Sequence, residues 1–294
     1  MRELASASAK MYPEFVHELE DESQSKVDFR QEGTIVLQRA GARVLGASSN
    51  TLTSSELRKR EMQLEAEGYE AVMVEEASVN PRALSEAALT TCKHRGVDTS
   101  LRDEVVAVEV VNGRAAAVRT TKTGFAAGLV VNCAGAWAGK IPPCSFPTRP
   151  VKGQMLAVAM RDRNVLRHVV RAPEVYLVPR SSGRLLIGAT VEEAGYDKRT
   201  DADTIHRMHR AALELLPVLE GAKILEDWAG LRPGTPDGLP ILGQTRVAGY
   251  FVATGHFRDG ILLAPVTAKI IGQVVCGEKA AWDIAAFSPD RFER

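Results

Sequence analysis

The chain has 294 residues, 45% of them hydrophobic and 25% charged, with 37 lysines and arginines against 37 aspartates and glutamates. That length and apolar content allow one large domain or two intimate ones with a substantial core, and exclude a disordered polymer. Zero net charge recommends neither nucleic acid nor an anionic membrane as partner, and no run approaches the ~20 apolar residues of a membrane span, so a small-molecule site is the default.

The first residues, Met1-Arg-Glu-Leu-Ala-Ser-Ala-Ser, lack the apolar core of a signal peptide. Four scattered cysteines, Cys92, Cys133, Cys144 and Cys276, form no CxxC pair. They are expected to be reduced small hydrophobes in a cytoplasmic protein. Leu4, Met11, Phe15 and Leu19 recur at helical spacing and predict an amphipathic helix over the first twenty residues. Phe29 to Leu37 reads as a strand pair, followed by a polar, Ser-rich loop and a helix from Ser54 to Glu67 that ends at Gly68. Asn80 caps and Pro81 starts a further helix, with Leu84, Ala88 and Cys92 facing inward and Gly96 ending it.

Alternating segments come next: Val105–Val111, a turn at Asn112-Gly113, Ala115–Thr120, then the apolar run Leu129–Gly135. Helix, hairpin and buried strand in this order suit a nucleotide-binding α/β layer. Val175–Pro179 and Leu185–Ala189 flank Ser181-Ser-Gly183 as a hairpin. Thr200–Asp203 gives a capping-box pattern ahead of a helix whose apolar face is Ile205, Met208, Ala212 and Leu215, ended by Pro217. His206 and His209 lie three apart on that helix without a third ligand, so a solvated face is the better reading than a metal site.

Two motifs near the C-terminus carry the chemistry. They are Trp228-Ala-Gly-Leu-Arg232-Pro-Gly-Thr-Pro-Asp237-Gly and Gly255-His-Phe-Arg258-Asp-Gly-Ile-Leu-Leu-Ala-Pro265, on either side of Tyr250–Thr254, a buried strand entering a helix. Both arginines are expected in glycine-rich turns. A guanidinium there can grip a carboxylate through two parallel hydrogen bonds, and the N–H groups opening the helix near Ile261 favour an anionic group set against them.

At these residues the chain resembles the D-amino-acid-oxidase-like flavoproteins, most closely their glycine oxidase group, and the likeness runs from about Ser6 to the C-terminus. It implies an α+β fold: an incomplete Rossmann-like FAD-binding domain (residues 1–24, 75–148 and 225–294) and an antiparallel-sheet substrate domain (25–74 and 149–224), entered at Arg149–Gln154. The implied reaction is FAD-dependent oxidative deamination of glycine or a similar small amino acid, giving a 2-oxo acid, ammonia and hydrogen peroxide. It is linked to thiamine thiazole biosynthesis, and a homo-oligomer is implied.

Carried over position by position, Arg232 anchors the substrate carboxylate, Tyr176 hydrogen-bonds it and walls the pocket, and Arg258 lies between substrate and flavin. Gly255, His256, Phe257, Arg258, Asp259, Gly260, Ile261 and Leu262 line the isoalloxazine. Ala134 and Gly135 end a strand against the cofactor, and Val105 lies on the adenine side.

Two departures accompany the resemblance. Val191 stands where glycine oxidases carry a methionine, which would admit small D-amino acids or N-methylglycine. No GxGxxG occurs anywhere in the chain, although the family opens with a βαβ unit of ~30 residues whose amides cradle the pyrophosphate. Three readings follow: a longer protein with a different start, one half of a split enzyme, or a fragment without flavin or activity. In each, the neighbours of the absent strand should expose apolar edges.

Overall fold

The computed structural model describes residues 1–39, 41 and 50–292. Helix α1 (Arg2–Ser23) buries Leu4, Tyr12, Val16 and Leu19, while Met11 and Phe15 sit half-buried at the margin of that stripe. Strands β1 (Phe29–Arg30), β2 (Thr34–Arg39) and β3 (Thr51–Leu52) follow, then helix α2 (Ser54–Arg60), β4 (Tyr69–Val74), β5 (Ser78–Val79) and helix α3 (Pro81–His94). The meander β6 (Val105–Val111), β7 (Arg114–Thr120) and β8 (Gly124–Ala126) leads to β9 (Val130–Asn132). A long strand β10 (Arg149–Ala159) precedes β11 (Val169–Arg171), β12 (Tyr176–Pro179) and β13 (Arg184–Gly188). Helix α4 (Ala202–Leu215), β14 (Ile224–Gly234), β15 (Ile241–Gln244), β16 (Tyr250–Thr254) and helix α5 (Gly260–Val275) come last.

The largest sheet has the order β14-β10-β13-β12-β11-β2-β4-β3 and is antiparallel except where β11 runs beside β2. One face is buried under α4, whose Ile205, Met208, Ala212 and Leu215 share a core with Leu156, Val158, Leu177, Leu185 and Ile187. Each such aliphatic side chain contributes roughly 1.5–3 kcal/mol when fully buried. The opposite face, carrying Met155, Tyr176, Gly188, Trp228 and Arg232, looks into a cleft of about 2240 Å³.

The other wall of the cleft comes from α1 and α5. Strand β16 pairs antiparallel with β15 and parallel with β9, and α5 packs on this small sheet through Leu263, Val266 and Ile270. Pro265 lacks the N–H that would bond the Ile261 carbonyl four residues back. Tyr12 of α1 donates its hydroxyl to that carbonyl instead, and Ser8 Oγ accepts from the Val266 amide at 3.3 Å. Helix α1 thus mends α5 next to the cleft, and burial pushes the Tyr12 phenol up to about 12.

Mixed helix and sheet, the cap at Asn80 and the Asn112-Gly113 turn agree with the sequence reading; other expectations are corrected. Phe29–Arg30 and Thr34–Arg39 are both strands, but they pair with β5 and β4 and not with each other. Helix α2 stops at Arg60 because Glu61 turns inward to accept hydrogen bonds from residues 167 and 168. The cap of α4 is Asp201, bonding the Thr204 amide at 2.8 Å, while the Thr200 hydroxyl bonds Asp227. The inward face of α3 is Leu84, Ala87 and Thr91, with Ala88 half-buried against the same core as expected; Cys92 is exposed, as are Cys133 and Cys276, and only Cys144 is a buried hydrophobe. Most of the Ser-rich loop before β3 lies outside the described residues.

Candidate active site

Arg232 lies within β14, not in a turn. Pro233 and Gly234 imitate a turn signal, yet β14 is an edge strand, where a residue without N–H is tolerated, and Pro233 faces Pro150 across the ladder. The register aligns Tyr176, Gly188, Met155 and Trp228 in one row across β12, β13, β10 and β14. Arg232 stands two rows away, opposite Val151. Its Nη1 donates to the Thr190 carbonyl at 3.1 Å, and the Tyr176 hydroxyl reaches Met155 Sδ at 3.5 Å. Arg258, by contrast, does sit in the turn leading into α5, after Phe257 with its left-handed φ of 48°.

Neither Arg232 nor Arg258 is ion-paired with a carboxylate among the described residues, whereas Arg82, Arg171 and Arg184 of the same cleft all are. Burial lowers the Arg232 guanidinium from its ordinary value, and the neighbouring Arg258 charge acts in the same direction. Burial raises the Tyr176 phenol, against the opposing pull of Arg232, Arg258 and Arg180. Tyr176 therefore stays protonated and can donate. An anion placed between the two arginines would offset their mutual repulsion and accept this donor.

Of the residues singled out in the sequence, Tyr176, Arg232, Phe257, Arg258, Asp259, Ile261 and Leu262 line the cleft. His256 turns its ring to Thr267 Oγ1 at 3.0 Å, and burial lowers it to about 4, so it is neutral near pH 7. Gly255 has φ 76° and underlies the turn, where a Cβ would approach Thr235 Cγ2 to 2.6 Å. Gly260 starts α5; Ala134 and Gly135 form the 3-10 turn after β9; Val105 begins β6 in the meander. None of these last four lines the cleft, whereas Val191 does.

Sequence reasoning overlooked the floor of the site. A Cβ on Gly153 would lie inside the Arg232 guanidinium, and one on Gly188 would come within 2.9 Å of the Tyr176 ring and hydroxyl. Isolated glycines inside strands mark close approach, and that signal was present in Lys152-Gly-Gln154 and Ile187-Gly-Ala189. Also overlooked was Trp228, which lines the cleft beneath the Arg82 guanidinium at 4.7 Å.

The cleft greatly exceeds the volume a small amino acid needs. On its α5 side Ile261 and Leu262 are 42% and 37% exposed, apolar surface at a helix start whose cap residue, Asp259, makes no side-chain capping bond. These groups suit a large planar ring system bearing polar edges, with first-turn amides left to donate to an anionic or carbonyl partner. Strand β9 forms the outer edge of its sheet, with Leu129 and Val131 52% and 37% exposed, as expected beside a parallel neighbour. The flavin-ring side of an FAD site therefore fits the residues present, while no GxGxxG supplies the pyrophosphate side.

Fold and site together define a flavin-type oxidoreductase scaffold whose cleft is walled on one side by the sheet face bearing Tyr176 and Arg232. Residues 1–274 match the family described as FAD dependent oxidoreductase, and the chain belongs to that family. It is 38% identical over 182 residues to the glycine oxidase of Pseudomonas putida, an alignment covering 60% of this chain and 50% of that one. It is 36% identical over 222 residues to the bifunctional protein ThiO/ThiG of Synechocystis, covering 74% and 34%. The crystal structure of glycine oxidase from Geobacillus kaustophilus superposes with a TM-score of 0.90 at 30% identity, covering 98% of this chain and 82% of that one. The chain thus spans half or less of these two curated relatives in sequence. No helix among the described residues is long and apolar enough to cross a membrane, and no cluster of three His, Cys, Asp or Glu is placed to hold a metal.

Proposed function

We propose that this chain provides the substrate wall and the ring-facing part of the flavin wall of an oxidase acting on glycine or a similarly small amino acid. The observation that carries the reading is Arg232, a half-buried guanidinium without a carboxylate partner, set beside Tyr176 and facing Arg258 across the cleft. Residues 25–74 and 149–224 would form the substrate domain and the remainder the cofactor domain, although β14, which carries Arg232, pairs with β10 of the large sheet.

Arg232 would hold the substrate carboxylate through its fork, Tyr176 would donate a second hydrogen bond, and Arg258 would close the charge from the α5 side. Orientation is the main service of such a pocket, and well-aligned groups supply about 7–11 kcal/mol of a barrier. FAD, when bound, supplies the two-electron acceptor chemistry. The balanced reaction converts glycine, water and oxygen into glyoxylate, ammonia and hydrogen peroxide. The ThiO/ThiG names among the relatives support a role in thiamine biosynthesis; a cytoplasmic location and a homo-oligomer belong to the same reading.

A second reading, that these residues alone hold no flavin, is favoured by the open edge of β9 and the missing glycine fingerprint. One experiment separates the two. The purified chain is incubated with FAD, desalted, and its visible spectrum taken before and after anaerobic glycine. Retained yellow colour that bleaches with glycine is the expected result of an oxidase; a colourless protein sinks that reading and establishes the second.

A further inference from the structure

We infer that Gly153 is a positioning residue for the carboxylate anchor and acts through Arg232 alone. The inference deepens the proposed function and rests on it only for the identity of the anion. Gly153 lies in β10 between Val151, the register partner of Arg232, and Met155, the partner of Trp228. From its place opposite Val151 the Arg232 side chain leans back along the sheet, and its guanidinium lies across Gly153. A methyl group at Gly153 would overlap the guanidinium carbon and both terminal nitrogens.

A control stands directly across the ladder. Gly230 pairs with Gly153, yet a Cβ there meets nothing within 4 Å. Neither glycine has a positive φ, so neither is required for backbone freedom. Only Gly153 is required for room.

The depth of the fork matters because Arg232 Nη1 donates to the Thr190 carbonyl, and Thr190 is itself tied to Gln154 by its hydroxyl, which accepts the Gln154 amide at 2.9 Å. Gln154 adjoins Gly153, so floor, fork and carbonyl form one closed unit. A methyl at Gly153 lifts the fork off the sheet, breaks its bond to Thr190 and pushes it into the volume a carboxylate would occupy. A bulky residue at Gly153 would therefore close the pocket to amino-acid carboxylates while leaving Arg232 in the sequence.

The test uses the full chain in five forms: wild type, Gly153→Ala, Gly230→Ala, Arg232→Ala and the double variant Gly153→Ala/Arg232→Ala. Thermal unfolding is measured for each, and acetate is titrated by tryptophan fluorescence, Trp228 being the tryptophan that lines the cleft. Gly153→Ala is expected to lower the midpoint only slightly, since what it displaces is the free end of a flexible side chain, and to cost nothing once Arg232 is gone. Acetate affinity should fall about tenfold or more in Gly153→Ala, as in Arg232→Ala, and stay unchanged in Gly230→Ala.

Equal losses of midpoint from Gly153→Ala with and without Arg232 would overturn the inference, as would wild-type acetate affinity in Gly153→Ala. If Gly153→Ala alone does not fold, recovery in the double variant supports the proposal and failure to recover overturns it. Absence of acetate binding by the wild type would remove Arg232 as a carboxylate anchor, and the coupling seen in the unfolding midpoints would then decide the role of Gly153 by itself.

Discussion

Replacing Glu61 by alanine should be among the most damaging single changes outside the cleft. Its carboxylate is 97% buried, being only 3% exposed, and accepts from the His168 amide at 2.6 Å, the Arg167 amide at 3.0 Å and His168 Nδ1 at 2.6 Å. His168 is buried as well, so truncation leaves an amide and a ring nitrogen without partners, and the outer Arg167 amide weakened. Unsatisfied buried donors cost about 1–3 kcal/mol each, and breaking a buried polar pair from one side about 3–5. We expect a loss of about 3–5 kcal/mol from a domain stability of roughly 5–15. Urea unfolding followed by tryptophan fluorescence reads it as a fall in midpoint at constant slope. A loss below about 1 kcal/mol would refute the argument, because it would mean that the strand entered at Val169 does not depend on this carboxylate.

Other outcomes follow from the same geometry. Tyr12→Phe removes the donor that replaces the N–H missing at Pro265 and leaves the Ile261 carbonyl unsatisfied; a loss of about 1–3 kcal/mol is expected, with faster amide exchange in the first turns of α5. Tyr176→Phe should weaken acetate binding about tenfold while leaving the unfolding midpoint near that of wild type, since its hydroxyl contacts only a thioether within the protein. Burial lowers His256 from 6.5 to about 4, so the unfolded chain takes up a proton between those values that the folded chain refuses. This contribution is intact above pH 6.5 and is lost as pH falls towards 4. The stability advantage of wild type over His256→Gln should shrink across that window, and an advantage constant with pH would count against it.

How much of this was legible in the sequence depended on how local each cause is. Asn80-Pro81 and Asn112-Gly113 act within four residues, and each produced the expected cap or turn, the last with φ of 51° and 76°, whereas the cap expected at Thr200 falls one residue later, at Asp201. Glu61 could not be read, because its partners lie more than a hundred residues away and nothing near it marks an inward-facing carboxylate. Family likeness gives Arg232 an anchoring role, and its sequence setting suggests a turn, since Pro233-Gly234 is turn chemistry in isolation and becomes strand only against β10. The side chains forming the cleft were partly foreseen; the two glycines that let Arg232 and Tyr176 lie low on the sheet were not, because an absent side chain shows its purpose only when a neighbour occupies the space.

The two walls of the cleft are held by different means. Arg232 and Tyr176 owe their places to strand register, and a slip of one residue in β14 or β12 would turn them to the opposite face. Phe257 to Leu262 owe theirs to a left-handed turn and to α1, which repairs α5 at Pro265. Glu61 fixes the chain just ahead of β11, which pairs with the β12 strand bearing Tyr176, so damage there should reach carboxylate binding before it reaches α5. Damage at Tyr12 should do the reverse. If both variants disturbed both walls equally, the cleft would be one cooperative unit, and the reading of Arg232 as an anchor set by sheet register alone would lose its footing.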